Sequence, residues 1–306
     1  MNQPLSRRIL LRNAAALGAA LVLPAPLTAC TKDESSPPDP NQLRLTRWAW
    51  ALREEGLARS ESLGNSATRA GELAAGSPYE PFTLEAYLKA GGSPKVEPLT
   101  LSLTQFDCVT LVEGCLAVAR VAAGEDSPTW QRFGREVERM RYRSGERRGY
   151  SSRLHYFSEW IADGEQRGLL KDRGKELGAA VDSRPLRFMT QHRASYPALA
   201  DEGVFREIGE IERRLDGKPR LVIPSKRVPE VVSRIQSGDV LAFATEISGL
   251  DVTHAAFAYR DTDRILRVLH APLSGGVVEV TRTTLPEYVA AIRRCTGIMV
   301  AQPLKA

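Results

Sequence analysis

Histidine and cysteine are scarce in this chain, with four of each among 306 residues. The histidines are His155, His192, His254 and His270, so any imidazole base is one of these four. No carboxylate motif or tight ligand spacing accompanies Cys108, His254 and His270, and neither a metal nor a cofactor is expected; zinc held by those three is the weaker alternative. Acidic residues are missing from the first 29 positions, while Arg7, Arg8 and Arg12 fall there. The formal charge of +5 therefore overstates the basicity of residues 30–306: without those arginines, 39 basic side chains face 37 acidic ones, a balance of +2. That near-balance gives nucleic-acid binding no support.

The beginning of the chain is compositionally separate. Ser6-Arg7-Arg8 precedes an alanine- and leucine-rich run too short to span a bilayer, and Leu27-Thr28-Ala29-Cys30 closes it. Residues 1–29 read as an export signal resembling the twin-arginine type, and Leu-Thr-Ala-Cys resembles a bacterial lipoprotein box with Cys30 as the lipidated residue. Residues 30–41, with Ser-Ser-Pro-Pro-Asp-Pro at their centre, cannot bury a core and read as an extended tether. The expected product is an exported lipoprotein, anchored to a membrane through its N-terminal lipid and facing the periplasm, with its folded part at 42–306. Of the remaining cysteines, Cys115 repeats seven residues after Cys108 on one helical face, where burial accounts for it. Free thiols are expected at Cys115 and Cys295, a disulfide between them being the alternative open to an exported chain.

The chain is organised around Phe106-Asp107-Cys108-Val109-Thr110-Leu111-Val112-Glu113. From here apolar residues recur at helical spacing, at Val112, Cys115, Leu116, Ala119 and Ala122, which predicts a buried helix opened by Cys108 with Asp107 as its N-cap. A thiol in the first turn meets unpaired backbone N–H groups and the positive end of the helix dipole, and both favour thiolate. A base is then needed, and two histidines can be placed. Residues 253–260 and 264–271 read as strands joined by Asp261-Thr262-Asp263. If those three residues are the loop, His254 lies directly opposite His270, with Cβ atoms roughly 4.5–5.5 Å apart. One imidazole can then act as base while the other orients it.

These blocks carry a family resemblance. Asp107-Cys108-Val109-Thr110, Gly238-Asp239-Val240-Leu241, Thr253-His254-Ala255-Ala256 and Leu269-His270-Ala271, in that order, resemble the NlpC-type papain-like cysteine hydrolases, and more narrowly their N-acetylmuramoyl-L-alanine amidase-like branch. The resemblance runs from about residue 76 to 304. It implies an α+β fold with the Cys-bearing helix on a small antiparallel sheet, a Cys108–His254–His270 catalytic set, and peptidoglycan or its muropeptide fragments as substrate. Tyr79, in Gly76-Ser77-Pro78-Tyr79, would lie near the thiolate and help bind the oxyanion. The bond implied joins the lactyl group of N-acetylmuramic acid to L-alanine. A D,L-endopeptidase acting within the stem peptide, or an inactive wall-binding relative, are the competing readings.

Between the catalytic blocks, residues 128–230 are expected to form a helical insertion walling the cleft. Within it, Arg153, His155 and Tyr156 combine a cation, an imidazole and a phenol, which suits a groove gripping a sugar or short peptide, with Arg153 available for a carboxylate. A half-buried helix start explains that mixture almost as well. Residues 205–215 read as a helix with Phe205, Ile208, Ile211 and Leu215 inward.

Overall fold

The computed structural model describes residues 39–272 and 276–305. The signal, the Cys30 lipidation site and most of the tether lie outside the described residues. Among the described residues, no helix is long and apolar enough to cross a membrane.

Helix α1 (Pro40–Glu54) starts at Asp39, whose side chain accepts the Asn41 N–H, and it buries Leu45, Trp48, Ala49 and Leu52. Helix α2 (Leu63–Ala74) is capped by Ser62, and α3 (Ala86–Lys89) is a single turn in the following loop. These lead to α4 (Cys108–Ala123), of whose sixteen residues eleven are buried. A helix apolar on nearly every side belongs in a core. Helices α1 and α2, a helix at Trp130–Arg141 and a strand at Val252–Arg260 surround it. The polar exception, Glu113, is matched inside by Arg141 at 2.7 Å.

The sheet is antiparallel and larger than expected. It comprises β1 (Leu170–Asp172), β2 (Ala180–Asp182), β3 (Arg220–Pro224), β4 (Val240–Thr245), β5 (Val252–Arg260), β6 (Leu266–His270), β7 (Glu279–Val280) and β8 (Cys295–Pro303). The order is β2-β3-β8-β4-β5-β6-β7, and β1 pairs with the far end of β8. Its two faces follow the period of two. Val240, Ala242, Ala244, Ala255, Phe257 and Leu269 join the core around α4. Leu241, Phe243, Ala256, Ala258 and Val268 join a second core on the opposite face, against the short helix α9 (Val228–Val231) and α10 (Leu285–Ala291).

The segment 128–230 differs from a helical insertion. It holds α5 (Trp130–Arg141), α6 (Phe157–Gln166), α7 (Phe188–Gln191) and α8 (Glu202–Leu215), but also β1, β2 and β3, and two of those strands pair with β8. It therefore extends the sheet as well as covering it. Strands of three to five residues are too short to show a convincing alternation in sequence. In α8 the inward face carries Val204, Ile208, Ile211 and Leu215. Phe205 lies only partly buried beneath the Arg193 guanidinium.

The β5–β6 hairpin also departs from expectation. The Asp261 N–H donates to the Ile265 carbonyl at 3.1 Å, the Asp261 carbonyl accepts the Arg264 N–H at 3.0 Å, the Asp261 carboxylate accepts the Ile265 N–H at 2.8 Å, and Arg264 takes a left-handed φ of 63°. The three-residue loop is thus 262–264, one position later than predicted, with the left-handed third residue usual for that length. Arg260 pairs with Leu266 instead of Arg264. His254 and His270 are consequently diagonal neighbours, not directly opposed. A slip of two residues keeps every side chain on its original face, so the pair survives the correction.

Candidate active site

Cys108 is the first residue of α4. Asp107 caps it in a reciprocal box: its carboxylate accepts the Thr110 N–H at 2.7 Å, and Thr110 Oγ1 accepts the Asp107 N–H at 2.9 Å. The cap engages the Asp107 side chain in the helix itself and leaves the N–H groups of Cys108 and Val109 directed at the sulfur, where they favour thiolate.

A third N–H comes from β5. The Ala258 N–H bonds across to Asp239 on the β4 side, so by alternation the Ala255 N–H points toward β6. The β5–β6 ladder stops at Phe257–Leu269, leaving that donor for the Cys108 sulfur. The thiol therefore meets the strand in the plane of the sheet, where two strands part. This matters because α4 packs on one face while His254 and His270 belong to the other.

The three donors do not win. Burial first and the Asp107 carboxylate second push the Cys108 thiol up to about 12. In the unliganded site, removal from water thus acts against the helix terminus and favours the thiol.

His254 and His270 are 2% and 3% exposed. His254 Nε2 lies 2.9 Å from His270 Nδ1 with the rings nearly perpendicular, and Phe243 stacks on His254. Burial, aided by the neighbouring His270, lowers His254 to about 3, and burial lowers His270 to about 4. Both rings are neutral at pH 7. Tyr288 on α10 places its hydroxyl 3.2 Å from the same His270 Nδ1. Nothing in the sequence around Tyr288 marks it, since it follows an ordinary capping box at Thr284 and Glu287. The Ala255 N–H is equally mute, being backbone.

Tyr79 reaches the site. Its segment is held by Tyr79 N–H to Gly276 and Phe106 N–H to Pro78, beside the residues leading into α4. Its phenol is raised by burial and then by the charges of Cys108 and Asp107, which marks it as a neighbour of both.

The other three expected substrate contacts lie within the fold. Arg153 is 5% exposed, donates to Glu85 at 2.6 Å, stands 3.5 Å from Glu97 and covers the Tyr150 ring. Tyr156 donates to the fully buried Glu212 at 2.6 Å. His155 contacts the Tyr150 carbonyl through Nε2 at 2.8 Å, and burial followed by the Arg153 charge holds it well below the usual histidine range. The cation and the phenol thus already have carboxylate partners inside the fold. His192 stacks on Phe188 away from this cluster and bonds its carbonyl. Cys115 is a free buried thiol and Cys295 a free, partly buried one. Among the described residues, no three His, Cys, Asp or Glu side chains gather as a metal site requires.

The chain as a whole is similar to several known proteins. A crystal structure of an N-acetylmuramoyl-L-alanine amidase from Bacteroides uniformis is similar with a TM-score of 0.70 and 28% identity, covering 79% of this chain and 98% of that one. A Bacteroides fragilis protein provisionally named a xylanase gives a TM-score of 0.69 and 31% identity over 76% of this chain and 99% of its own. A Legionella pneumophila protein shares the fold at 18% identity, with a TM-score of 0.61 over 86% and 94% of the two chains. No curated protein matches. Residues 70–298 match the AmiA-like family, described as N-acetylmuramoyl-L-alanine amidase-like. With three quarters of its length inside that match, and an α+β architecture shared with amidase structures, the chain belongs to the N-acetylmuramoyl-L-alanine amidase-like family.

Proposed function

We propose that this protein is a cysteine-dependent amidase of the NlpC-type, papain-like kind, hydrolysing the amide between the lactyl group of N-acetylmuramic acid and L-alanine in peptidoglycan or its fragments. The observation that carries the reading is the histidine pair: His254 Nε2 is engaged by His270 while His254 Nδ1 is buried with no partner among the described residues. A ring oriented on one side and bare on the other is what a general base requires.

Thiol and imidazole are both neutral at rest, so the proton moves when substrate arrives and not beforehand. Substrate closing over the sulfur brings its carbonyl to Cys108. The S–H proton passes to His254 Nδ1 as sulfur attacks, and the N–H groups of Cys108 and Ala255, with the Tyr79 hydroxyl, hold the oxyanion. His254 then delivers the proton to the leaving amine of L-alanine, and water releases the acyl group from sulfur. His270 favours each step by accepting from His254 Nε2 and stabilising the imidazolium that forms transiently.

In the same reading the signal at 1–29 directs export, Cys30 carries the lipid, and residues 30–41 hold the domain off a membrane on the periplasmic side. The test is mass analysis of products from defined muropeptides incubated with the folded domain. Release of the intact stem peptide with free sugar supports the amidase. A dipeptide left on the sugar replaces it with a D,L-endopeptidase, and equal turnover by Cys108→Ala removes the cysteine mechanism.

A further inference from the structure

Neutral histidine has two tautomers, and only one arrangement of the pair leaves His254 able to take a proton from sulfur. His254 must carry its hydrogen on Nε2, and so His270 must accept on Nδ1 and carry its own hydrogen on Nε2. Something has to select that state. Tyr288 cannot do so alone, because a hydroxyl 3.2 Å from His270 Nδ1 can donate to a bare nitrogen or accept from a protonated one.

The selecting group is on the other side of the ring. His270 Nε2 is buried and has no hydrogen-bond partner among the described residues. Glu279 is its directly opposed residue on β7, and Glu279 Oε1 stands 3.8 Å from that nitrogen. A lone pair facing a carboxylate is repelled by it, whereas an N–H is attracted. We propose that Glu279 is a positioning residue: its carboxylate holds His270 in the Nε2–H form, which makes His270 Nδ1 an acceptor, obliges His254 Nε2 to donate, and leaves the base lone pair on His254 Nδ1. Glu279 then acts on His270 through its charge at 3.8 Å, the His254–His270 hydrogen bond takes a fixed direction, and Glu279 touches no substrate. This rests on the amidase reading for its catalytic consequence, though not for the tautomer itself.

The groups that titrate around the pair are few. Glu279 faces His270 from β7, Tyr288 from α10 and His254 from β5; Cys108 approaches from α4, and Cys295 on β8 lies near Tyr288. Glu279 is the carboxylate within ion-pair distance of either ring among the described residues. Its side chain is 56% exposed, so its charge is partly screened and its influence depends on salt.

Two substitutions separate the full charge from a polar oxygen. Glu279→Gln removes the charge but keeps an oxygen that can accept from Nε2–H, while Glu279→Leu removes both. With four histidines in the chain, ring-nitrogen NMR can follow His270 individually. The expected wild-type signature is Nε2–H on both rings. In Glu279→Gln the form persists while the His270 pKa falls by roughly half a unit. In Glu279→Leu the rings populate the opposite tautomers. Muropeptide hydrolysis should fall about fivefold in the first and by roughly tenfold or more in the second, in kcat and not in KM, with the acidic limb of kcat/KM moving to lower pH. Unchanged His270 ring signals in Glu279→Leu, with the fold intact by thermal unfolding, overturn the assignment. Should the wild type turn over no muropeptide while the ring signals still respond to Glu279→Leu, the amidase reading falls and the tautomer role of Glu279 stands.

Discussion

The two ends of α4 meet the same physical problem and solve it oppositely. Every helix leaves N–H groups unpaired at its start and carbonyls unpaired at its finish. At the finish, the guanidinium of Arg53 reaches across from α1 and donates to Ala122 at 3.0 Å and to Gly124 and Asp126 at 2.7 Å. A cation also suits that end of the dipole. At the start, only the Thr110 N–H is capped; those of Cys108 and Val109 are left for the sulfur. One terminus is sealed by its own fold, and the other leaves its donors to the sulfur of the proposed nucleophile. The lesson is that stability and chemistry can be assigned to opposite ends of one element.

The contrast is broken most severely at Cys108. Cys108→Ala should reduce amide hydrolysis by at least roughly a thousandfold while leaving the melting temperature equal or higher, measured by product mass and thermal unfolding. A loss of stability comparable to the loss of activity would show that the start of α4 is structural after all.

Acid comes next. His254 and His270 hold folded values of about 3 and 4 against an ordinary 6.5, so the unfolded chain takes up protons first as pH falls. The pair's contribution is complete above about pH 7 and is lost between pH 6.5 and the folded values. Denaturant unfolding should show a loss approaching roughly 2 kcal/mol per ring from about pH 7 to about pH 5, with a shallower slope in a His254→Gln/His270→Gln double variant.

Arg53→Met sharpens the other side of the comparison. It strands the final carbonyls of α4 and should cost about 1–3 kcal/mol in denaturant unfolding, while kcat/KM per folded molecule stays within about twofold. The smallest effect is expected for Tyr288→Phe. Removing the second donor to His270 Nδ1 leaves that lone pair to His254 alone, so kcat/KM should change by roughly two- to fivefold and its acidic limb rise by a few tenths of a pH unit.

What could be read from the sequence was what local chemistry decides. Asp107, Cys108 and Thr110 form an N-terminal signature within four residues, and the buried stripe of α4 comes after it at regular spacing. His254 and His270 were legible as a facing pair because period two assigns faces even when the loop is misplaced. Their exact pairing was not, since it turns on Arg264 accepting a left-handed backbone. Arg153 and Tyr156 resembled binding residues because their partners, Glu85, Glu97 and Glu212, lie 56 to 68 residues away along the chain. The upward push on the thiol was not legible for a related reason: a helix dipole is visible in sequence, whereas desolvation is a property of everything packed around it.

Strand β8 sits between β3 and β4, inside the sheet, although it is formed by residues 295–303. The edge of β4 away from β5 is covered by a strand that follows β4, β5 and β6 in the chain. Without β8 the sheet bearing the histidines would lack that neighbour of β4. A chain that stops before residue 295 therefore lacks an interior strand of the sheet that carries His254 and His270, and it is expected to lose the fold and not merely to shorten it.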